Sequence, residues 1–393
     1  MKIGITRETF PVERRVSIIP DTIPTLTKAG AEVIVETDAG LEADYPDNLY
    51  TEKGARISAN RSEIYSESDI VLQVRALGAN PEAGKSDLDL MHSGQIIIGL
   101  SEPLTEVGSA QELANKGIVH FSMELIPRIT RAQSMDVLSS MATIAGYKAV
   151  LLAANKLSKM FPMMMTAAGT LKPAHVFVIG AGVAGLQAIA SSRKLGAVVQ
   201  AYDVRPVVKE QVESLGAKFV ELELESQDSE DKGGYAKEMG KEFLKKQQEM
   251  MLTVVFESDI VITTAAIPGK KAPILINEEA VNAMRPGSIV IDIAAERGGN
   301  CALTRVDELV KHQGVLILGP SNIPSSIPFH ASQMYSKNIS TFVLHMIKEG
   351  KFTLDLEDEI VKGTLVTNEG AIVHERIREI SDLSKKSPDG GSS

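Results

Sequence analysis

The sequence predicts an α/β fold of two doubly wound parallel-sheet domains with a cleft between them, the first domain discontinuous. Three observations carry this. Short apolar runs alternate with helical stretches along the chain, the pattern of a parallel sheet covered by helices. Segments of the first half return in the second, as in a duplicated domain. The structure-breaking run PSNIPSSIP, at 320–328, is followed by another long helical pattern, which brings the chain back to its first domain. A length of 393 residues suits two domains.

In chain order, strands are expected at 2–6, 32–36, 70–74 and 95–100, then at 175–179, 198–202, 259–264, 288–293 and 315–318. A helical pattern over 134–160 bridges the domains and another covers 329–348. Residues 359–366 and 371–374 flank Asn368, Glu369 and Gly370 as a hairpin. The first domain is therefore placed at 1–137 plus 329–380, the second at 138–328, and a disordered tail at 384–393. The repeat is visible in three segments: GAEV at Gly30 matches GAVV at Gly196, SDIV at Ser68 matches SDIV at Ser258, and GQII at Gly94 matches GSIV at Gly287. The spacing from Gly30 to Asp69 is about 40 residues and that from Gly196 to Asp259 over 60, so the second unit carries an insertion. Its acidic first part, ending in Gly233, Gly234 and Tyr235, reads as a mobile loop at about 221–240, anchored by a helical stretch over 236–255.

A formal net charge of −10 lacks the basic footprint of a nucleic-acid partner. Apolar and charged fractions of 44% and 23% describe an ordinary globular chain rather than a disordered or disulfide-built one. Cys301, alone, reads as a small buried apolar residue of a protein in a reducing compartment. The opening MKIGITRETF lacks a secretory core, and apolar stretches such as 96–100 and 149–154 fall short of the ~20 residues that span a bilayer. Membrane association is expected only through a partner, without direct insertion. The run from Met160 to Thr170, FPMMMTAAGT at its centre, is too apolar for an exposed loop and reads as core or as a hairpin reaching over a second subunit.

The sharpest chemical signal is Gly180, Ala181, Gly182, Val183, Ala184 and Gly185, after the apolar strand HVFVI and before a helix. This is the Rossmann fingerprint in its expected context, and both domains are read as Rossmann-like. Gly180 permits the tight turn, Gly182 lets a pyrophosphate approach the backbone, and Gly185 lets helix and strand pack closely. The helix N-terminus, at Val183 and Ala184, offers amide donors. Asp203 ends the next strand, with Val204 and Arg205 after it. Its carboxylate suits the ribose hydroxyls of NAD(H) and would repel the 2′-phosphate of NADP(H), whereas Arg205 could hold that phosphate. The loops Thr264, Ala265, Ala266, Ile267, Pro268, Gly269 and 294–300 lie at the carboxyl edge, where an open sheet places its ligand.

A polar cluster, Arg128 to Asp136, interrupts apolar surroundings before the bridging helix. As structure it is a helix cap. As chemistry, Arg128 and Asp136 can fix each other and a carboxamide, and Gln133 donates and accepts without titrating. Such groups orient a reactant and move no protons, which suits hydride transfer between two nicotinamides. The seven histidines show neither HExxH nor paired ligand spacing, and there is no GxSxG elbow.

RITRAQSMD, SSMATIAGYKAV, FPMMMTAAGT, GAGVAGLQAIA, DVRPVVKEQVESLGAKF, GGYAKEMGKEF, IPGKKAPILI and IDIAAERGGNCALT together resemble the NAD(H)-binding domain I of the proton-translocating nicotinamide nucleotide transhydrogenase family, over residues 1 to about 374. The resemblance implies a homodimer that binds NADH and passes hydride directly to NADP+ on a separate domain III, coupled to proton passage through a membrane domain II. It also implies roles: Arg128, Asp136 and Ser139 on the nicotinamide and its ribose, Gln133 toward the NADP(H) side, Asp203 on the adenosine ribose, and Tyr235 closing the mobile loop with Gly234. The chain then looks like a separate alpha-1 subunit or an excised piece, peripheral on the cytoplasmic face of a bacterial inner membrane. Alanine dehydrogenase is similar in fold and in the opening motif with Arg15. That family uses a Lys where Arg75 stands, an Asp where Glu296 stands, and a His near 96–104 that is absent here. A non-catalytic NAD(H)-binding module is the third reading.

Overall fold

The computed structural model describes residues 1–221, 250–267 and 269–386. The chain forms two compact units, one from Met1–Met141 with the chain from Ser325 onward, the other Ala142–Pro324. Each is built on a large, mostly parallel sheet.

In the first unit the strands are β1 (Lys2–Ile5), β2 (Glu32–Glu36), β3 (Arg56–Ser58), β4 (Ile70–Arg75), β5 (Ile96–Leu100) and β6 (Val119–Ser122). In the second, a small hairpin of β7 (Met164–Thr166) and β8 (Gly169–Leu171) precedes β9 (His175–Ile179), β10 (Val198–Tyr202), β11 (Lys218–Phe219), β12 (Ile260–Thr263), β13 (Ile289–Asp292), β14 (Leu309–His312) and β15 (Val315–Leu318). Back in the first unit come β16 (Ile347–Lys348), β17 (Lys351–Phe352), β18 (Leu365–Asn368) and β19 (Ala371–Ile372).

The sheet orders are β19-β18-β6-β5-β4-β1-β2-β3 and β11-β10-β9-β12-β13-β15-β14. From β3 to β6 and from β11 to β15 all pairings are parallel, and the two progressions are the same. Central strands such as IVIT and IVID are buried throughout, because helices cover both faces of a parallel sheet. The duplication extends to single bonds. The backbone N–H of Lys2 donates to Asp69 Oδ2 (2.7 Å) and that of His175 to Asp259 Oδ2 (3.0 Å), at equivalent strand starts. Gly30 and Gly196, which turn the chain into β2 and β10, both have φ +91°.

The structure differs from the sequence reading in several elements. Glu359–Thr364 is a helix, not a strand, because Asp358 Oδ1 accepts from the N–H groups of Ile360 (2.8 Å) and Val361 (3.2 Å) and so caps a helix start; only 365–372 form the hairpin. The bridging helix runs Val137–Lys156, shorter than the pattern, and Pro328–His345 replaces 329–348. By length and composition Val137–Lys156, at 20 residues, is long enough to cross a membrane, unlike the shorter stretches singled out above. Its Ala149, Val150 and Ala153 lie in the core of the second unit. The methionine run is not core: Met163 and Met165 are 60% and 77% exposed on the hairpin, and only Phe161 is buried. Cys301 is buried, which pushes its thiol up. Of the insertion, residues 250–257 are helical, with Met251 and Val255 in the core, while 222–249, including Gly234 and Tyr235, lie outside the described residues. So do Pro268 and the tail from 387.

Candidate functional site

The fingerprint turn links β9 to helix Val183–Lys194. Gly180 has φ +95°, a left-handed conformation that favours glycine, and a Cβ there would lie 2.5 Å from Thr264 Oγ1. Thr264 in turn donates from Oγ1 to the Gly180 carbonyl (3.0 Å), tying the loop after β12 to the turn. A Cβ on Gly185 would lie 2.8 Å from the Gly180 carbonyl carbon and closer still to its oxygen, so only glycine lets the helix start this near the strand. Gly182 differs. Its φ of −74° suits any residue, and a Cβ would meet no protein atom within 4 Å. Steric demands of the fold thus explain Gly180 and Gly185, while Gly182 leaves open space beside a helix N-terminus. A pyrophosphate approaching backbone amides fits that space.

Asp203, at the carboxyl end of β10, is buried and accepts four hydrogen bonds. Ala181 N–H donates to Oδ2 (2.7 Å), Arg205 N–H and Nε to Oδ1 (both 2.9 Å), and Arg205 Nη2 to Oδ2 (2.9 Å). The carboxylate is therefore fixed against the glycine turn, with Arg205 as its counter-ion. Val204 follows it, partly buried against the core.

The loops after β12 and β13 are held by two residues that sequence reasoning did not single out. Asp292 is fully buried and accepts from Thr263 Oγ1 (2.9 Å), Ala294 N (3.1 Å), Asn300 N (2.8 Å), Cys301 N (3.0 Å) and Thr304 Oγ1 (2.7 Å). Asn300 then accepts from Ala265 N (3.0 Å) and donates to the carbonyls of Ala265 (2.8 Å) and Pro273 (2.9 Å). Ala265 and Ala266 are thereby set beside the turn. The signal was present, an Asp closing an apolar strand and an Asn after two glycines, but partners some ten to thirty-five residues away are not visible in sequence. Gly146 was missed likewise: a Cβ on it would lie 2.9 Å from the Ala184 carbonyl carbon, so it lets the bridging helix lie against the fingerprint helix.

In the first unit, Arg128 is exposed before the 3-10 segment Thr130–Met135, which bears exposed Gln133. Both Asp136 oxygens are engaged by Ser139, whose N–H donates to Oδ1 (2.9 Å) and whose Oγ donates to Oδ2 (2.6 Å). Asp136 thus caps the bridging helix, which realises the structural alternative for this cluster. Arg128, Gln133, Asp136 and Ser139 follow one another within this unit, and the fingerprint, Asp203 and Thr264 to Ala266 belong to the other.

At the carboxyl edge of the first sheet lies a buried ionic cluster. Arg15 donates from Nε and Nη2 to the two oxygens of Glu13 (2.7 and 2.6 Å), and Arg75 Nε donates to Glu13 Oε2 (3.1 Å). The Phe10 ring lies 4.1 Å from the Arg75 guanidinium. Burial alone would raise the Glu13 carboxyl, but Arg15 and Arg75 hold it down at about 2. Glu8 accepts from the N–H groups of Val74 (2.6 Å) and Arg75 (3.1 Å), and burial, then the Glu13 charge, push it up to about 8.

Comparison with known proteins gives two family matches that together span nearly the whole chain: the N-terminal domain of alanine dehydrogenase/PNT over residues 4–145 and the C-terminal domain over 149–375. The chain is 48% identical to the first of the separately encoded pieces of NAD(P) transhydrogenase subunit alpha in Rhodospirillum rubrum, over 95% of this chain and 98% of that one. Its fold matches the crystal structure of transhydrogenase from Sinorhizobium meliloti with a TM-score of 0.84 at 42% identity, covering 95% and 100% of the two chains. It is 25% identical to an alanine dehydrogenase of Methanococcus maripaludis over 98% and 97% of the two chains.

Proposed function

The chain belongs to the alanine dehydrogenase/PNT family, and on that premise we propose that it is the NAD(H)-binding subunit of a proton-translocating transhydrogenase. The observation that carries the reading is the open space at Gly182 beside the helix N-terminus, with Asp203 fixed next to it. The Rhodospirillum rubrum relative supports transhydrogenation as the reaction.

In this reading the second domain, 138–328, holds NAD(H) and the discontinuous first domain carries the groups that orient the nicotinamide. Gly182 admits the pyrophosphate to the amides of Val183 and Ala184. Asp203 accepts from the adenosine ribose once the Arg205 guanidinium turns aside, and Thr264, Ala265, Ala266 and Pro268 border the nicotinamide. Arg128, Asp136 and Ser139 hold the carboxamide and ribose, Gln133 faces the NADP(H) side, and Gly234 and Tyr235 close over the nucleotide. Bound NADH supplies the hydride, and NADP+ on a partner domain III accepts it. The protein groups named here align and screen two rings and exchange no proton. The exposed Met163–Met165 hairpin supports a homodimer. Coupling to proton translocation would come from the membrane domain II partner, which places this subunit peripherally on the cytoplasmic face of the bacterial inner membrane.

Two assays test this. Asp203→Arg should weaken NADH binding about tenfold or more by fluorescence titration; unchanged affinity would remove the assignment. The wild-type chain with L-alanine and NAD+ should give no NADH; turnover there would favour the alanine dehydrogenase reading instead.

A further inference from the structure

The segment that carries Gln133 cannot hold itself in place. Thr130–Met135 is a six-residue 3-10 run with no side-chain cap, longer than the three or four residues such helices usually sustain. Only Ala132 and Met135 of it are buried. Two side chains from the returning part of the chain grip it on either side of Gln133. Arg131 Nη1 pairs with Asp358 Oδ2 (2.7 Å), and Asn338 Nδ2, on helix Pro328–His345, donates to the Ser134 carbonyl (2.9 Å). The two oxygens of Asp358 divide their work. Oδ1 caps helix Glu359–Thr364, while Oδ2 faces Arg131 and, at 3.2 Å, His345 Nε2. Asn338 is buried, so its grip on Ser134 is fixed by the packing of its helix.

We propose that Asp358 and Asn338 are positioning residues for Gln133, and that this is what the return of the chain to the first unit contributes to the reaction. The inference rests on the proposed function for the role of Gln133, but the positioning itself can be read without it.

Asp358→Asn is the informative variant, because asparagine still caps the helix through Oδ1 while the charge facing Arg131 is lost. In the full chain, amide hydrogen exchange over 130–136 should quicken about fivefold with the melting temperature unchanged, the scale of one partly exposed ion pair. With an NADP(H)-binding domain III, hydride transfer should fall about fivefold while the NADH Kd stays within about twofold. Arg131→Ala combined with Asp358→Asn should be no worse than either alone. Wild-type exchange over 130–136, or multiplied effects in the double variant, would overturn the positioning role. Absence of transfer in the wild type would tell against the proposed function, and the exchange measurement would still decide the positioning.

Discussion

Replacing Gly182 and Gly185 by alanine separates what the fold needs from what a nucleotide needs. At Gly182 the backbone is already in a region alanine adopts, with φ −74° and ψ −169°, and the new Cβ meets nothing within 4 Å. Loss of glycine's freedom in the unfolded chain is worth about 0.4–1 kcal/mol, against a few tenths lost at an N-cap, so stability should change by less than about 0.5 kcal/mol. For a second unit of this size that is a melting shift of about 2 °C at most. Yet the methyl sits where a pyrophosphate would approach the amides. Losing one charge-assisted hydrogen bond costs about 2 kcal/mol, roughly thirtyfold in affinity. At Gly185 the added Cβ lies 2.8 Å from the Gly180 carbonyl carbon and 3.3 Å from Thr264 Oγ1. Helix and strand must part, at about 1–3 kcal/mol or more. Thermal unfolding and NADH fluorescence titration of both variants read the two effects. Gly182→Ala should melt like the wild type and bind NADH poorly, while Gly185→Ala should lose both. A Gly182→Ala chain that binds NADH normally would refute the reasoning, as would a Gly185→Ala chain that melts like the wild type.

The neighbouring Glu8 and Glu13 should give stability a maximum in pH. Glu8 is raised from 4.5 to about 8, so its protonated form belongs to the fold, and its contribution is full below about pH 4.5 and lost as pH rises through 8. Glu13 is lowered from 4.5 to about 2, so its contribution is present above 4.5 and lost as pH falls through 2. Melting curves from pH 3 to 9 should lose their alkaline decline in Glu8→Gln; a decline that persists would remove Glu8 as its source. Asp292→Ala leaves five donors around it without their acceptor and should cost about 3 kcal/mol or more, with calorimetry as the check and a melt within 2 °C of wild type as the contrary result.

The architecture was legible because a parallel sheet writes itself as continuous apolar runs. The strands at 32–36, 175–179, 198–202 and 315–318 are found at those bounds. Short edge strands such as Arg56–Ser58, Lys218–Phe219 and Leu309–His312 carry too few buried residues to stand out. Glu359–Thr364 misled because its isoleucine and valine suit a strand, while the decisive group was the capping carboxylate one residue earlier. The methionine hairpin misled in the other direction: apolarity marks a surface that wants cover, not which surface supplies it. At the glycine turn, spacing alone identified the residues, since each glycine answers to a local steric demand. The long-range ties, Asp292 to five donors, Asn300 to Ala265 and Asp358 to Arg131, depend on which loops the sheet brings together. No local pattern encodes them.

The central claim is direct hydride transfer, and isotope fate tests it most directly. The chain is mixed with NADH carrying deuterium at the transferred C4 position, NADP+ and an NADP(H)-binding domain III, and the NADPH formed is examined by mass. The account predicts that the label arrives in NADPH undiluted by solvent, only when domain III is present, and more slowly with Gln133→Ala. Label lost to water, or NADH oxidised without domain III, would contradict it.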